Sequence, residues 1–314
     1  ATLPILAASL MAKGQVEIND YPHITDLNNM LSILRELKVD IVQTEQTLKL
    51  NAANADNSQM DFALMKTMRS SIFLLGSMLA RFKMATITQP GGCKIGARPI
   101  DIHLTSLKKM GVKIVELGDA IFFDANNAHN AKIKLKMPSV GATENLIEFA
   151  CLTKGKTVLT NVAREPEIVD LCQFLNKMGA KISGAGTSRI TILGVDELNA
   201  TQYTPIGDRI VAGTYMIAAA ICGGKLTLTN AVPEQNANLI EKLKRIGCQI
   251  EIENDIITLT SEKNLHSCQE IVTGYYPDFA TDLQSQMLAL SCFVKGETFV
   301  KETVFENRFL IVPE

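Results

Sequence analysis

Apolar residues in this chain alternate between two spacings. Leu27, Met30, Leu31 and Leu34 fall at i, i+3, i+4 and i+7, which predicts a helix that buries one face. Ile168, Leu171, Cys172 and Leu175 repeat that stripe, and Pro166 stands where a first-turn proline is favoured. Thr157-Val158-Leu159 and Arg189-Ile190-Thr191-Ile192-Leu193 are short and β-branched, as strands are. The segment Asn145 to Thr153 predicts an apolar helix. A hydrophobic core accounts for all of these stripes, and chemistry is needed for none of them.

The elements recur along the chain. Lys109-Met110-Gly111-Val112-Lys113-Ile114 returns as Lys177-Met178-Gly179-Ala180-Lys181-Ile182 and as Arg245-Ile246-Gly247-Cys248-Gln249-Ile250, with the glycines 68 residues apart. A weaker copy, Glu36-Leu37-Lys38-Val39-Asp40-Ile41, precedes them. A second phrase is interleaved as Lys13-Gly14, Lys154-Gly155, Gly223-Gly224 and Lys295-Gly296, each opening a strand-like run. Ala80 to Ile87 fills the remaining place without the glycine. Each unit reads as helix, strand, helix, then one or two strands. The expectation is an α/β repeat protein with four full units and a fifth begun near Asp282. The polar stretch Gly194 to Ile206 predicts a boundary near residue 205. That gives a three-unit domain over 1–205 and an incomplete second domain over 206–314, holding one full unit and part of another.

Composition narrows the class. The chain has 314 residues, 46% hydrophobic and 20% charged, as expected of a soluble globular protein with one large or two medium domains. A net charge of −2 provides no global basic field for nucleic acid or anionic membrane. The longest apolar run, Ile210 to Cys222, is too short to span a bilayer. Seven cysteines include no C-x-x-C pair, which argues against a zinc ribbon or a redox dithiol. Six of them, Cys151, Cys172, Cys222, Cys248, Cys268 and Cys292, read as small buried apolar residues with reduced thiols in a cytoplasmic compartment.

The segment Pro90-Gly91-Gly92-Cys93-Lys94-Ile95-Gly96-Ala97-Arg98-Pro99 departs from the repeat. Three glycines and two prolines predict a loop. Cys93 sits there beside Lys94 and Arg98, and nearby cations lower a thiol pKa. Arg98 offers a planar fork for phosphate or carboxylate. The combination points to a loop that carries an acid or nucleophile against an anionic substrate. A buried structural cysteine is the alternative.

Several long stretches resemble the UDP-N-acetylglucosamine enolpyruvyl transferase family. They include Ala1-Thr2-Leu3-Pro4-Ile5-Leu6, Lys66-Thr67-Met68-Arg69-Ser70-Ser71-Ile72 and Pro90-Gly91-Gly92-Cys93 through His103. Pro138-Ser139-Val140-Gly141-Ala142-Thr143, Ala163-Arg164-Glu165-Pro166-Glu167, Gly207-Asp208-Arg209, Ala280-Thr281-Asp282-Leu283-Gln284 and Glu302-Thr303-Val304-Phe305-Glu306-Asn307-Arg308-Phe309 continue the likeness. The resemblance implies two domains of repeated βαβαββ-like units forming an inside-out α/β barrel, with the active site between the domains. It implies transfer of enolpyruvate from phosphoenolpyruvate to the sugar 3′-hydroxyl by addition and elimination, without metal or organic cofactor. Cys93 would be the general acid at the methylene carbon, able to form a thioether and to be alkylated by epoxides such as fosfomycin. Asp282 would draw the hydroxyl proton, although a helix N-terminal acid explains it equally. Arg69 and Arg98 would bind anionic groups. Arg98, Pro99, Ile100, Asp101 and Ile102 correspond to a uridine-binding loop. Ser139 and Val140 correspond to a diphosphate contact at a helix start, and Val304 to a sugar-nucleotide contact. His103 lies near this site, with a structural role as the alternative.

The chain departs from the family pattern in three places. A Lys-Asn pair expected just before Ala1 is absent, as are the residues of a sixth unit. Met137 stands where some members carry lysine. These departures predict that the 314-residue piece alone is poorly active and that its second domain has unpaired strand edges. The competing functions are a 3-phosphoshikimate 1-carboxyvinyltransferase, which lacks the Gly-Gly-Cys loop, and a non-catalytic UDP-sugar-binding paralogue.

Overall fold

In the computed structural model, residues 1–56, 72–88, 100–118 and 120–313 are described. The chain divides after Ile206 into two compact units. Among the described residues, six helices belong to the first: α1 Thr2–Ser9, α2 Thr25–Glu36, α3 Leu74–Phe82, α4 Asp101–Lys109, α5 Val140–Cys151 and α6 Pro166–Lys177. The second holds α7 Arg209–Cys222, α8 Ala237–Ile246 and α9 Gln284–Ser291.

Both predicted stripes face the core. Leu27, Met30, Leu31 and Leu34 are buried on α2, and Ile168, Leu171, Cys172 and Leu175 on α6, which starts at Pro166. The helices α1, α3 and α5 are buried on nearly every side. They run parallel. Gly76 N donates to Asn145 Oδ1 at 2.6 Å and Ser77 Oγ donates to Glu148 Oε2 at 2.8 Å. Towards the other end, Arg81 Nη1 donates to Leu10 O at 3.0 Å. A Cβ at Gly76 would stand 2.4 Å from Asn145 O, so glycine is what allows α3 this close to α5.

The strands explain why the sequence repeats. Gln15–Asn19, Thr47–Asn51 and Asp40–Gln43 form an antiparallel sheet whose last strand in sequence lies in the middle. Met84–Thr88, Ala120–Asp124 and Lys113–Leu117 repeat that order, as do Lys156–Thr160, Arg189–Leu193 and Lys181–Ser183. In the second unit Gly224–Leu228, Ile256–Ser261 and Gln249–Glu253 do so again. Both sequence phrases mark left-handed turns. Gly111, Gly179 and Gly247, just beyond their helices, have φ of +83°, +105° and +117°. Gly14, Gly155, Gly224 and Gly296 lie between +95° and +99°. The degenerate copies keep the turn at φ +60° and +62° with Lys38 and Lys83 in place of glycine.

The polar stretch Gly194 to Ile206 carries strand pairing that its composition does not predict. Leu198–Asn199 pairs in parallel with Ala12–Lys13, and Gln202–Tyr203 with Glu17 and Ile18. Asp170 on α6 secures the end of this stretch, accepting from Tyr203 Oη at 2.7 Å and Ile206 N at 3.3 Å. The first unit therefore closes on itself, its third repeat returning a strand to its first. In the second unit Glu270–Gly274 pairs in parallel with Phe299–Lys301, a strand of the fifth repeat. The strand Gly224–Leu228 has one partner strand among the described residues. The described strands make six sheets, and no helix there is long and apolar enough to cross a membrane.

Two cysteines also differ from expectation. Cys222 and Cys292 are exposed, because α7 and α9 end there and turn to solvent. Cys151, Cys172, Cys248 and Cys268 are buried. Burial raises all four thiol pKa values and pushes Cys172 up to about 12, leaving these thiols inert at neutral pH.

Candidate active site

In the first unit, candidate residues gather at the start of α5. Ser139 caps the helix: its hydroxyl accepts from Ala142 N at 3.4 Å and its carbonyl from Thr143 Oγ1 at 2.7 Å. Val140 and Gly141 follow, half-buried, in the turn whose N–H groups have no partner within the helix. Together with the helix dipole these donors favour an anion. His103 of α4 is buried beside them, its Nε2 3.4 Å from where a Cβ on Gly141 would lie. Asp101 opens α4 on the exposed side, while Ile100 and Ile102 turn into the core. Arg69, Cys93, Arg98 and Pro99 lie outside the described residues.

Asp282 and Val304 are brought together in the second unit. Asp282 lies in a 3₁₀ turn, Thr281–Leu283, directly ahead of α9. Leu283 anchors that turn against α7, where a Cβ on Gly213 would come within 2.8 Å of Leu283 Cδ1. The segment after the strand Phe299–Lys301 folds onto the turn through Glu302. Glu302 Oε2 accepts from Thr281 Oγ1 at 3.0 Å, and Oε1 accepts from Val304 N at 2.7 Å and Phe305 N at 3.1 Å. Thr303 fixes the segment from behind, its N–H donating to Thr273 Oγ1 at 3.0 Å and its hydroxyl to Thr273 O at 2.7 Å. Arg308 then reaches back. Its Nε donates to Thr281 O at 3.1 Å, and its Nη2 pairs with Asp282 Oδ1.

Sequence reasoning assigned no role to Glu302 or Arg308. The available signal was the mixture of Glu302, Glu306 and Arg308 with Val304, Phe305 and Phe309 in one short segment. Glu144 and Glu148 were also missed. Both lie fully inside the first unit, one helical turn apart, in a run that otherwise reads as core.

The repeated helix and strand units match the enolpyruvyl transferase fold. The solved structure of the enolpyruvyl transferase NikO from Streptomyces tendae superposes with a TM-score of 0.88 at 22% identity, covering 100% of this chain and 75% of that one. EPSP synthase from Acinetobacter baumannii matches more loosely, with a TM-score of 0.67 at 16% identity over 95% of this chain and 71% of that one.

The EPSP synthase (3-phosphoshikimate 1-carboxyvinyltransferase) family model matches residues 1–314, and the chain belongs to this family of carboxyvinyl transferases. Within it, UDP-N-acetylglucosamine 1-carboxyvinyltransferase 2 of Caldanaerobacter subterraneus subsp. tengcongensis is 46% identical over 99% of this chain and 75% of its own length. The UDP-N-acetylglucosamine 1-carboxyvinyltransferase of Ruthia magnifica subsp. Calyptogena magnifica is 42% identical over 100% of this chain and 75% of its own length.

Proposed function

We propose that the protein transfers the enolpyruvyl group of phosphoenolpyruvate to the 3′-hydroxyl of UDP-N-acetylglucosamine, releasing phosphate. This would be the opening step of peptidoglycan precursor synthesis, carried out in the cytoplasm. The observation that carries the reading is the 46% identity, sustained over 99% of the chain, to a protein named for that nucleotide sugar.

In the addition step the sugar oxygen bonds to C2 of phosphoenolpyruvate. Cys93 delivers a proton to C3, and Asp282 accepts the proton that the hydroxyl loses. In the elimination step C3 gives up a proton to solvent, the C2–C3 double bond re-forms, and the C2–O bond to phosphate breaks to release phosphate. Arg69 and Arg98 hold the anionic groups. The run Arg98, Pro99, Ile100, Asp101 and Ile102 receives the uridine, through backbone where Ile100 and Ile102 face the core. Ser139 and Val140 receive the diphosphate at the start of α5, where helix N–H groups are available. Val304 contacts the sugar nucleotide, brought beside Asp282 by the Glu302 bonds.

Thermal unfolding with ligand tests the acceptor. UDP-N-acetylglucosamine at about 100 times its Kd stabilises a protein that binds it only when folded by about 2.7 kcal/mol. A rise in Tm with the nucleotide sugar and none with shikimate 3-phosphate is expected. A rise with shikimate 3-phosphate alone would transfer the chain to the other branch of its family. Binding of the nucleotide sugar with no phosphate release from phosphoenolpyruvate would identify a non-catalytic binder.

A further inference from the structure

Arg308 is held in a way that an ordinary surface arginine is not. Its side chain is 12% exposed, whereas that of its partner Asp282 is 55% exposed. Two further contacts fix the guanidinium independently of Asp282. Nε donates to the Thr281 carbonyl at 3.1 Å, and the group lies over the Phe305 ring at 5.5 Å. Glu302 ties the same segment to Thr281 and to the amides of Val304 and Phe305. The backbone on both sides of the ion pair is therefore fixed before the carboxylate is considered. The rigid partner is the arginine, and the group free to reorient is the exposed carboxylate.

We propose that Arg308 is a positioning residue for Asp282: it engages Oδ1 and so turns the second carboxylate oxygen toward the acceptor hydroxyl. The inference rests on the assignment of Asp282 as the base that takes that hydroxyl's proton. A carboxylate on a single-bonded stem has two soft torsions, and an exposed one samples several rotamers. A largely enclosed guanidinium bonded to one oxygen restricts both. Proton transfer requires the accepting oxygen within hydrogen-bond reach of the hydroxyl. Glu302 acts one step further away, by holding the segment that carries Arg308.

Turnover of Arg308→Met, Arg308→Lys, Asp282→Asn and the Arg308→Met/Asp282→Asn double variant distinguishes positioning from scaffolding. It is measured in the complete polypeptide that carries residues 1–314, at saturating phosphoenolpyruvate and UDP-N-acetylglucosamine. Misplacing a reacting group by about 1 Å costs about 100-fold. Arg308→Met should therefore lower kcat about 100-fold while KM for both substrates stays within about threefold. Arg308→Lys should recover part of the loss. The double variant should be no slower than Asp282→Asn, because residues acting through one group are not additive. Urea unfolding of each variant at matched conditions confirms that the fold is retained.

Three results would overturn the inference: kcat of Arg308→Met within about threefold of the parent, a KM rise that accounts for the whole effect, or losses that multiply in the double variant. Failure of the underlying assignment looks different. Asp282→Asn would then turn over normally whatever Arg308 does.

Discussion

Asp282→Asn is expected to lower kcat by about 10²- to 10⁴-fold while the affinity for UDP-N-acetylglucosamine stays within a few fold. Asparagine keeps the shape of the side chain and can still accept a hydrogen bond, but it cannot take a proton at neutral pH. The turn that carries it should survive, because Leu283 against Gly213 and Thr281 against Glu302 do not depend on the carboxylate. Arg308 would lose its ionic partner yet keep the Thr281 carbonyl. Steady-state kinetics alongside a binding titration separates the two effects. A variant that binds and turns over like the parent would remove Asp282 from the chemistry and leave it as the acid that begins α9, which the helix dipole alone explains.

Glu148→Gln is expected to stabilise the first unit at neutral and alkaline pH. Glu148 is completely buried between α5 and α3, with Oε2 accepting from Ser77 Oγ at 2.8 Å and no hydrogen-bond partner for Oε1 among the described residues. Glu144 and Cys151 adjoin it on α5, and Cys172 of α6 lies in the same core. Burial holds both carboxyl pKa values well above the ordinary range; Glu144 adds to the rise at Glu148, and the Ser77 hydrogen bond opposes it. Such a group is protonated in the folded chain at pH values where the unfolded chain has already ionised.

The sign follows from linkage. Stability tied to Glu148 is fully present below the unfolded pKa, about 4.3, and is lost as pH rises towards the folded pKa. In that window one group changes stability by up to about 1.4 kcal/mol per pH unit. Glutamine keeps the contact with Ser77 and does not ionise. The parent and Glu148→Gln should therefore unfold in urea with similar free energies near about pH 4 and diverge as pH rises, the variant being the more stable. Parallel curves from acid to alkaline pH would contradict the account of Glu148 as a buried neutral acid. Ser77→Ala should destabilise the first unit at low pH, where Glu148→Gln is near neutral, by removing the hydroxyl that serves the carboxyl.

The repeat was legible because its signals are local. A glycine beyond a helix in left-handed conformation is required by backbone sterics, and Gly111, Gly179 and Gly247 occupy that position at the expected spacing. Lys38 and Lys83 adopt the same conformation without announcing it, which is why the first and second units read as degenerate copies. The stripes on α2 and α6 were legible for the same reason: one helix sets them. What was not legible is the order within the polar stretch from Gly194 to Ile206. Its order comes from backbone pairing with residues far away in sequence, such as Ala200 N to Lys13 O at 3.0 Å and Glu17 N to Thr201 O at 2.9 Å. Composition carries no trace of such pairing.

The candidate site divides along the same line. Ser139 as a helix cap and Asp282 as the acid before a helix could be read locally, and family likeness supplied their proposed roles. The bond from Arg308 to Asp282 spans 26 residues and becomes visible only once the chain folds back. The two buried glutamates could have been singled out as charges inside an apolar run, but the pairing of Glu148 with Ser77 needed the parallel packing of α3 on α5.

The decisive measurement is the product itself. The complete polypeptide carrying these residues is incubated with phosphoenolpyruvate and either UDP-N-acetylglucosamine or shikimate 3-phosphate, and released phosphate is followed together with the mass of the acceptor. The expected result is one phosphate released for each nucleotide sugar that gains an enolpyruvyl group, with shikimate 3-phosphate unchanged. Modification of shikimate 3-phosphate, or an unmodified nucleotide sugar under conditions where it is bound, would contradict the proposed function.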